Sequence, residues 1–417
     1  MREAVIIGGG IAGPVAGMAL VKAGWRATVC EAYPAAADAV GSWLALQANG
    51  VDALAAVDAQ HLVDEAGFPT RTMRFVTGRG RVLGTIGNGN PLPDGTPSSM
   101  VRRSAFYRAV RHEAEARGVQ IRYGARLVDA RIEGDGVTGV LADGGTVHAD
   151  VLIGADGIGS TTRRIIDRNA PAARYVPVLN LGGEVPDLDL SGTGWPVDQF
   201  QMMFGLRCFF GIHPNPAGGA VWFANPVQPQ EPHEGELEAI TADQWRERLA
   251  RLLHGDRGPV ADALRRAVRQ APPDTLRPWA TYDLPSVPTW HSGPMAIIGD
   301  AAHATAPSAG QGAALAIEDA VIIAQCLRDA SGPDRAFAAF ERLRRRRVEK
   351  IVANGNRGSN RKAAGPVGRV LRDAILPVVF RSLGKNDGAA TRWITDHHID
   401  WDAGTASSAA VEELDRR

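Results

Sequence analysis

The glycines near the N-terminus are the first residues whose spacing indicates chemistry. Residues 8–13 read Gly-Gly-Gly-Ile-Ala-Gly, the pattern of a dinucleotide-binding turn. In such a turn the first glycine permits the tight bend, the second lets the backbone approach a pyrophosphate, and the third lets the next helix pack closely. The candidate cofactor-binding residues in this segment are Gly8, Gly10, Ala12 and Gly13.

A strand, a helix and a second strand must position these glycines. The apolar run from Ala4 to Ile7 predicts a buried parallel strand, and a helix to about Ala23 follows, with Gly24 as its stop. A second strand over residues 27–30 ends at Glu31. A carboxylate there accepts hydrogen bonds from the adenosine ribose and repels a 2′-phosphate, so Glu31 favours FAD or NAD over NADP.

Two further glycine motifs follow predicted strands far along the chain. The strand Val151–Ile153 leads to Asp156 and Gly157, where the Asp156 carboxylate could bind a cofactor or only brace the turn. A strand over residues 295–298 leads to a second loop and to a helix over residues 313–327, whose open N-terminus would favour negative charge. The candidate cofactor-binding residues of that loop are Asp300, Pro307, Gly310, Gln311 and Gly312. Three motifs on one pocket indicate FAD.

In the order and spacing of these motifs the chain resembles the class A flavoprotein monooxygenases, the family of para-hydroxybenzoate and salicylate hydroxylases. Asn49 and Trp290 are further matches. The resemblance implies that Glu31 holds the adenosine ribose, that Arg103 contacts the pyrophosphate and ribityl region, and that Asp300 binds the ribityl chain.

The fold class that the resemblance implies is α/β, with a Rossmann-like FAD-binding domain of the GR2 type, an inserted mixed β-sheet substrate domain and C-terminal helices. We expect the FAD-binding domain to be discontinuous and the substrate domain to be formed from two insertions. The expected boundaries are 1–72, 97–175 and 286–360 for the FAD-binding domain, 73–96 and 176–285 for the substrate domain, and 361–417 for a C-terminal helical segment and tail.

The reaction implied by the resemblance is reduction of FAD by NAD(P)H, reaction of O2 at the flavin C4a carbon, and insertion of one oxygen atom into an aromatic or polycyclic small molecule. Hydroxylation is the expected outcome; epoxidation and Baeyer–Villiger insertion begin from the same intermediate and are the alternatives. The candidates for substrate positioning or proton transfer are Arg207 and His213, in an alternating aromatic segment; their alternatives are a surface charge and a solvated strand end. We expect His303 to be a packed, hydrogen-bonded residue.

The composition indicates a globular protein whose partner is a small molecule. The 417 residues carry 46 basic and 46 acidic side chains, so net charge gives no attraction to nucleic acid or to a membrane. Three dispersed cysteines and the absence of a leader favour the cytoplasm. We expect the protein to be a monomer or a dimer. The arginines at 342 and 344–347 could indicate a nucleic-acid-binding helix, but a solvated helix face is the stronger interpretation.

Other flavin chemistries are the remaining alternatives. A flavin-dependent halogenase would need a lysine between the first two motifs, and residues 23–349 contain no lysine. A dehydrogenase or reductase of the same fold, and a non-redox scaffold or cyclase that uses FAD structurally, remain open.

Overall fold

The computed structural model describes residues 1–34, 42–284, 286–306, 310–362, 366–385 and 389–405. The strands are β1 (Glu3–Ile7), β2 (Arg26–Cys30), β3 (Trp43–Leu46), β4 (Gly67–Pro69), β5 (Thr72–Thr77), β6 (Val82–Gly87), β7 (Ser99–Arg102), β8 (Gln120–Arg122), β9 (Leu127–Glu133), β10 (Gly136–Leu141), β11 (Thr146–Ala149), β12 (Val151–Gly154), β13 (Arg174–Val185), β14 (Gln199–Phe204), β15 (Phe209–Pro214), β16 (Ala220–Asn225), β17 (Trp279–Asp283), β18 (His291–Ser292) and β19 (Met295–Ile297).

The helices alternate with these strands in the first half of the chain and dominate its end. They are α1 (Ala12–Lys22), α2 (Ala48–Ala55), α3 (His61–Ala66), α4 (Arg103–Ala116), α5 (Thr161–Ile166), α6 (Ala242–Leu252), α7 (Pro259–Gln270), α8 (Asp300–His303), α9 (Gly312–Asp329), α10 (Pro333–Lys362), α11 (Pro366–Lys385) and α12 (Ala389–Thr395). Within the described ranges, none of them combines the length and the apolar character needed to cross a membrane.

A six-stranded sheet collects the strands that precede the three glycine motifs. Its order is β18-β19-β12-β1-β2-β8, and all neighbours pair in parallel except β18 with β19. The predicted strands before the motifs are confirmed as β1, β12 and β19, and they lie side by side. Because the carboxyl ends of parallel strands meet at one edge, the three motifs converge there.

Helix α1 packs on this sheet, and α9 packs in turn on α1 and α2. Gly50 of α2 approaches α9 so closely that a Cβ there would lie 2.8 Å from the Cα of Ala314. The helix stop is also confirmed, since Gly24 has a φ of +83° just past α1. These close contacts bring the N-terminus of α9 beside the sheet edge where the motifs meet.

A seven-stranded sheet forms the second large layer, in the order β17-β13-β16-β15-β14-β5-β6. Helices α6 and α7 cover one of its faces, where Trp222 and Phe210 pack against Trp245 and Leu264. Strands β5 and β6 form a hairpin with its turn at residues 78–80. Thr241 and Gln244 form a capping box at the start of α6.

Residues 127–149 form a three-stranded antiparallel sheet, β11-β10-β9, which the sequence motifs did not predict. The glycines at 134, 136 and 139 repeat the spacing of the N-terminal motif. They lie in the β9–β10 hairpin, which continues into β11 and not into a helix. The context of a dinucleotide-binding turn is therefore missing there.

The arginine-rich helix α10 differs from expectation. The prediction that these arginines lie on a solvated helix face is wrong for two of them. Arg344 is 0% exposed, and the side chain of Arg347 is 9% exposed. Arg344 pairs with Glu318 at 2.6 Å and with Asp319 at 2.7 Å, two neighbouring carboxylates on α9. Buried arginines are retained where such partners exist, and these lie 25 or more positions away in sequence.

The fold class is confirmed as α/β, with a Rossmann-like sheet and a second, mixed sheet. The division into domains stays a prediction: the seven-stranded sheet takes its strands from residues 72–87 and 174–283. Helix α11 lies within the expected C-terminal helical segment. The predicted polar tail beyond residue 405 lies outside the described residues.

Candidate active site

The N-terminal glycine turn has the shape that a pyrophosphate requires. Gly8 has a φ of +111°, and a Cβ there would overlap the carbonyl of Ala155; a Cβ on Gly13 would overlap the Gly8 carbonyl. A Cβ on Gly10, in contrast, would meet no protein atom within 4 Å. Gly8 and Gly13 are thus required by the fold itself, whereas the space at Gly10 is open to a ligand. Ala12, buried, opens α1 directly behind this space.

Glu31 stands at the end of β2, next to this turn. Its Oε2 accepts a hydrogen bond from the Gly9 amide at 2.6 Å, and its Oε1 accepts one from the Tyr33 amide at 2.8 Å. A carboxylate has about four acceptor positions, so both oxygens retain capacity for a ribose hydroxyl. The predicted ribose-binding residue is therefore held in place by the backbone on either side of it.

Arg103 and Asp300 lie near each other although 197 positions separate them in sequence. Arg103, exposed at the start of α4, donates from Nε to the Tyr107 hydroxyl at 2.7 Å. Asp300 is accessible to solvent but surrounded by protein, which raises the pKa of its carboxyl, while His303 and Arg103 oppose that rise. Such an accessible yet desolvated carboxyl is typical of a residue lining a deep cleft.

Sequence reasoning missed two residues of α4 at this cleft. Tyr107 is half-buried, and burial raises the pKa of its hydroxyl, with Arg103, Asp300 and Glu31 among the charges around it. Arg111 is 7% exposed and donates to the carbonyl of Gly9 at 3.3 Å. Tyr107 could have been found from its i+4 spacing to Arg103. Arg111 carried no signal, because an arginine on an amphipathic helix usually lies on the surface.

Asp156 braces its own turn. The carboxylate accepts hydrogen bonds from the Ser160 hydroxyl at 2.5 Å and from the Thr162 amide at 3.0 Å. Ser160 caps α5, and Gly157 has a φ of +73°. Arg163, 2% exposed, then donates to the Ala301 carbonyl at 2.9 Å and so ties this turn to α8. The second and third motifs are physically joined.

The third motif ends in the loop that opens α9. Gly310 has a φ of +61°, and Gln311, 4% exposed, is the residue before the helix. The Gln311 side-chain carbonyl accepts a hydrogen bond from Asn49 at 3.0 Å. Gly312 begins the helix, whose first turn presents its amide groups at the loop. Pro307, predicted to lie along the cofactor, falls outside the described residues.

His303 is packed, as expected. Its Nε2 lies 2.5 Å from Oδ2 of Asp319, which also accepts the Gly299 amide at 2.9 Å. Trp290 packs on the imidazole at 5.6 Å between ring centroids. These contacts, with 3% exposure, give His303 a structural role behind the sheet edge.

Helices α6 and α7 cover one face of the seven-stranded sheet; we call its other face the roof face and the space beside it the chamber. Half-buried apolar side chains line it: Met73, Phe75, Met202, Phe204 and Phe223. The three-stranded sheet β3-β7-β4 closes one end, and Leu376 and Phe380 of α11 close the other.

Strand β3 lies between the seven-stranded sheet and the cofactor loop. Just before it, Ser42 donates to the roof carbonyl of Gly182 at 3.2 Å, and just after it, Gln47 lies beside Gly310 of the cofactor loop. Five residues of extended chain span about 16 Å. Strand β3 thus joins the seven-stranded sheet to the cofactor loop.

The two catalytic candidates do not come together at this chamber. Arg207 is exposed in the β14–β15 turn, and its guanidinium donates to the His254 carbonyl at the end of α6, on the helix-covered side. His213 is 0% exposed and is not a solvated strand end: its Nε2 lies 3.1 Å from the Thr70 hydroxyl and its Nδ1 lies 2.7 Å from the Pro214 carbonyl. Burial lowers the pKa of His213 to about 4.

The residues present fit FAD. The open space at Gly10 suits a pyrophosphate, Glu31 suits a ribose, and the exposed but desolvated Asp300 suits a ribityl hydroxyl. The N-terminus of α9, which no described side chain caps, suits the electron-accepting edge of a flavin. Within the described residues, no group of side chains could hold a metal ion.

Comparison with known proteins agrees with this geometry. Residues 1–355 match the FAD binding domain family. The chain is 30% identical over 402 residues to 3-amino-4-hydroxybenzoate 2-monooxygenase PtmB3 of Streptomyces platensis, covering 90% of this chain and 92% of that protein. It is 27% identical to salicylate hydroxylase of Pseudomonas putida, covering 96% and 94%.

Among solved structures, HpxO of Klebsiella pneumoniae complexed with FAD and uric acid has the same fold, with a TM-score of 0.79, 24% identity, and coverage of 93% of this chain and 96% of that one. Taken with the family match, which spans all three glycine motifs, the chain belongs to the FAD binding domain family and is an FAD-dependent monooxygenase of class A.

Proposed function

We propose that the protein uses NAD(P)H and O2 to hydroxylate a flat aromatic or polycyclic molecule bound between the roof face and FAD. The observation that carries this proposal is the half-buried aromatic lining of the chamber. Relatives named for 3-amino-4-hydroxybenzoate and salicylate, and the neighbour complexed with uric acid, support a planar substrate.

Phe223 is the part of the roof best placed to contact such a substrate. A Cβ on Gly211 would overlap Cε1 of Phe223 and would lie 2.8 Å from Cζ, so the ring lies directly over the bare glycine. We expect this half-buried ring to present one face to the chamber. Offset stacking on that face stabilises an aromatic partner by about 0.5–1.5 kcal/mol beyond burial. Gly211 thereby gives the chamber its depth.

Bound FAD supplies electron transfer from the nicotinamide and the activation of oxygen. The chain's own contribution is to orient the substrate and exclude water. Trp43 and Phe68 pack together at 5.2 Å between ring centroids and seal one end, and Phe75 packs on Phe380 at 4.8 Å at the other. Both ends of the chamber are therefore closed by aromatic contacts.

The nicotinamide, we infer, binds transiently. The second glycine pattern, at residues 134–139, lies in a hairpin, so the described residues contain one dinucleotide-binding turn of the strand–turn–helix type, at Gly8. Reduction would then occur by a passing NAD(P)H that approaches the flavin already bound.

The test begins with anaerobic mixing of the FAD-loaded protein with NADPH and then NADH, with and without a panel of phenolic and polycyclic compounds, while flavin absorbance is followed. We expect bleaching, and on admission of air a product heavier by one oxygen atom. Bleaching with substrate oxidation but no oxygen incorporation would indicate a dehydrogenase instead. An FAD that only chemical reductants bleach would indicate a structural cofactor.

A matched pair of variants locates the substrate. Phe223→Ala removes the stacking surface and is expected to raise the KM of planar substrates about tenfold, from the stacking free energy above. Phe210→Leu changes the opposite face of the next strand, toward α7, and is expected to leave KM unchanged. Equal effects of the two variants would place the substrate elsewhere.

A further inference from the structure

The Asn49 side chain connects the cofactor loop to a buried carboxylate. Its Nδ2 donates to Oε1 of Gln311 at 3.0 Å and to Oε1 of Glu318 at 2.6 Å. Asn49 and Glu318 are 0% exposed and Gln311 is 4% exposed. One amide group from α2 thus bridges the residue that precedes α9 and a residue two turns further along the same helix.

The chemistry of the two partners determines which way this amide faces. A carboxylate and an amide carbonyl can only accept, so the NH2 group of Asn49 must point at both. Its Oδ1 is buried and has no hydrogen-bond partner in the part of the chain that the structure describes. Asn49 is therefore held by its nitrogen alone.

Glu318, the partner of Asn49 that lies further along α9, is held by two arginines. Arg347 donates to both of its oxygens, at 3.0 and 2.9 Å, and Arg344 lies 2.6 Å from Oε2. These guanidinium groups outweigh the effect of burial and lower the pKa of the Glu318 carboxyl. A charged acceptor held by two arginines leaves Asn49 one orientation, so the position of Gln311 follows from it.

Gln311 matters because it is the residue that precedes α9 at the cofactor loop. Within the part of the chain that the structure describes, no side chain caps the helix start, and its amide groups carry the positive end of the helix dipole. We propose that Asn49 is a positioning residue that aims this end of α9 at the flavin by holding Gln311, and that it thereby raises the flavin reduction potential. It acts through Gln311 and not by contact with substrate.

The test is the reduction potential of the bound flavin, measured by slow anaerobic reduction against a reference dye. Asn49→Leu keeps the side-chain size and removes both hydrogen bonds. We expect a tenfold or larger loss in the ratio of reduced to oxidised flavin at a given potential, which is about 30 mV for a two-electron couple. The measurement needs neither substrate nor oxygen, so it stands even if the proposed reaction is wrong.

Two further variants separate positioning from general damage. Gln325→Leu removes a buried amide from the far end of α9, where Nε2 donates to the Asp400 carbonyl at 2.8 Å, and is expected to lower the melting temperature without moving the potential. Gln311→Met should reproduce the shift of Asn49→Leu, and the double variant should show no additional shift, because both changes break one link.

Additive shifts in the double variant, or a potential moved equally by Gln325→Leu, would overturn the proposal. If Asn49→Leu fails to fold, Gln311→Met alone decides. That variant removes only the link at the loop, and an unchanged potential in it would refute the positioning role.

Discussion

His213 should make the stability of this protein fall in mild acid. The ring is buried between Phe68 and Phe200, at 5.0 and 5.2 Å between centroids. The Pro214 carbonyl can only accept, so Nδ1 carries the hydrogen and Nε2 accepts from the Thr70 hydroxyl. Both nitrogens are satisfied in the neutral ring, and a second proton would displace the hydrogen donated by Thr70.

The magnitude follows from the pKa difference between the two states. Burial lowers the pKa of His213 from 6.5 to about 4 in the folded protein. Above pH 6.5 both states are neutral at this residue and stability is complete. Between pH 6.5 and 4 the unfolded chain binds a proton that the folded protein does not, so stability falls by about 1.4 kcal/mol per pH unit, or about 3 kcal/mol in all.

The assay is urea unfolding with FAD in excess, at intervals from pH 7.5 to 4.5, on the wild type and on His213→Gln. Glutamine can donate to Pro214 and accept from Thr70 but does not titrate, so its unfolding free energy should lack this slope. His397, whose pKa burial also lowers, contributes equally to both proteins. Gln325→Leu, destabilised but retaining His213, should lie lower at every pH with the wild-type slope. If the unfolding free energy of His213→Gln falls with pH as steeply as that of the wild type, the reasoning is refuted.

Three further substitutions test the cofactor turn, the buried charges and the chamber. Gly10→Ala should weaken FAD binding at least tenfold and leave the melting temperature of the apoprotein unchanged, because the added Cβ meets no protein atom. Gly13→Ala should lower both the FAD affinity and the melting temperature, because its Cβ overlaps Gly8. Arg344→Leu should cost about 3–5 kcal/mol in urea unfolding by leaving two buried carboxylates short of a partner, whereas exposed Arg342→Leu should change stability by less than about 0.5 kcal/mol. Arg372 lies 4.4 Å from the centroid of the Phe204 ring in the chamber lining, so Arg372→Met should raise the KM of carboxylate-bearing aromatic substrates and leave that of neutral ones unchanged in steady-state assays.

The cofactor half of the site could be predicted because its signals are local. Each glycine motif directly follows a short apolar run, and a turn between a strand and a helix has few solutions. Glu31 is found at the end of β2 for the same reason. Parallel pairing of β1 with β12, and of β12 with β19, then brings three distant motifs to one edge without further information.

The roles of individual polar side chains could not be predicted in this way, because they depend on partners from other elements. Arg344 looks like a surface residue within an arginine run, and only packing of α10 against α9 brings Asp319 to it. His213 looks like a strand end, but β4 covers it with Phe68. In both cases burial is decided by a second element that the local pattern does not contain.

Taken together, these partners show how the catalytic and structural halves of the protein depend on each other. Asn49, Glu318 and Arg347 lead from the cofactor loop to α10, and Arg347 also donates to the carbonyls of Trp393 and Ile394 in the C-terminal segment, at 2.6 and 2.7 Å. Residues 393 and 394 are not part of the glycine motifs. Their carbonyls nevertheless accept hydrogen bonds from Arg347, which holds the Glu318 carboxylate, and Glu318 in turn orients Asn49. Shortening the chain before residue 393 should therefore alter the flavin environment as well as stability, and a flavin absorbance spectrum unchanged by that truncation would contradict this coupling.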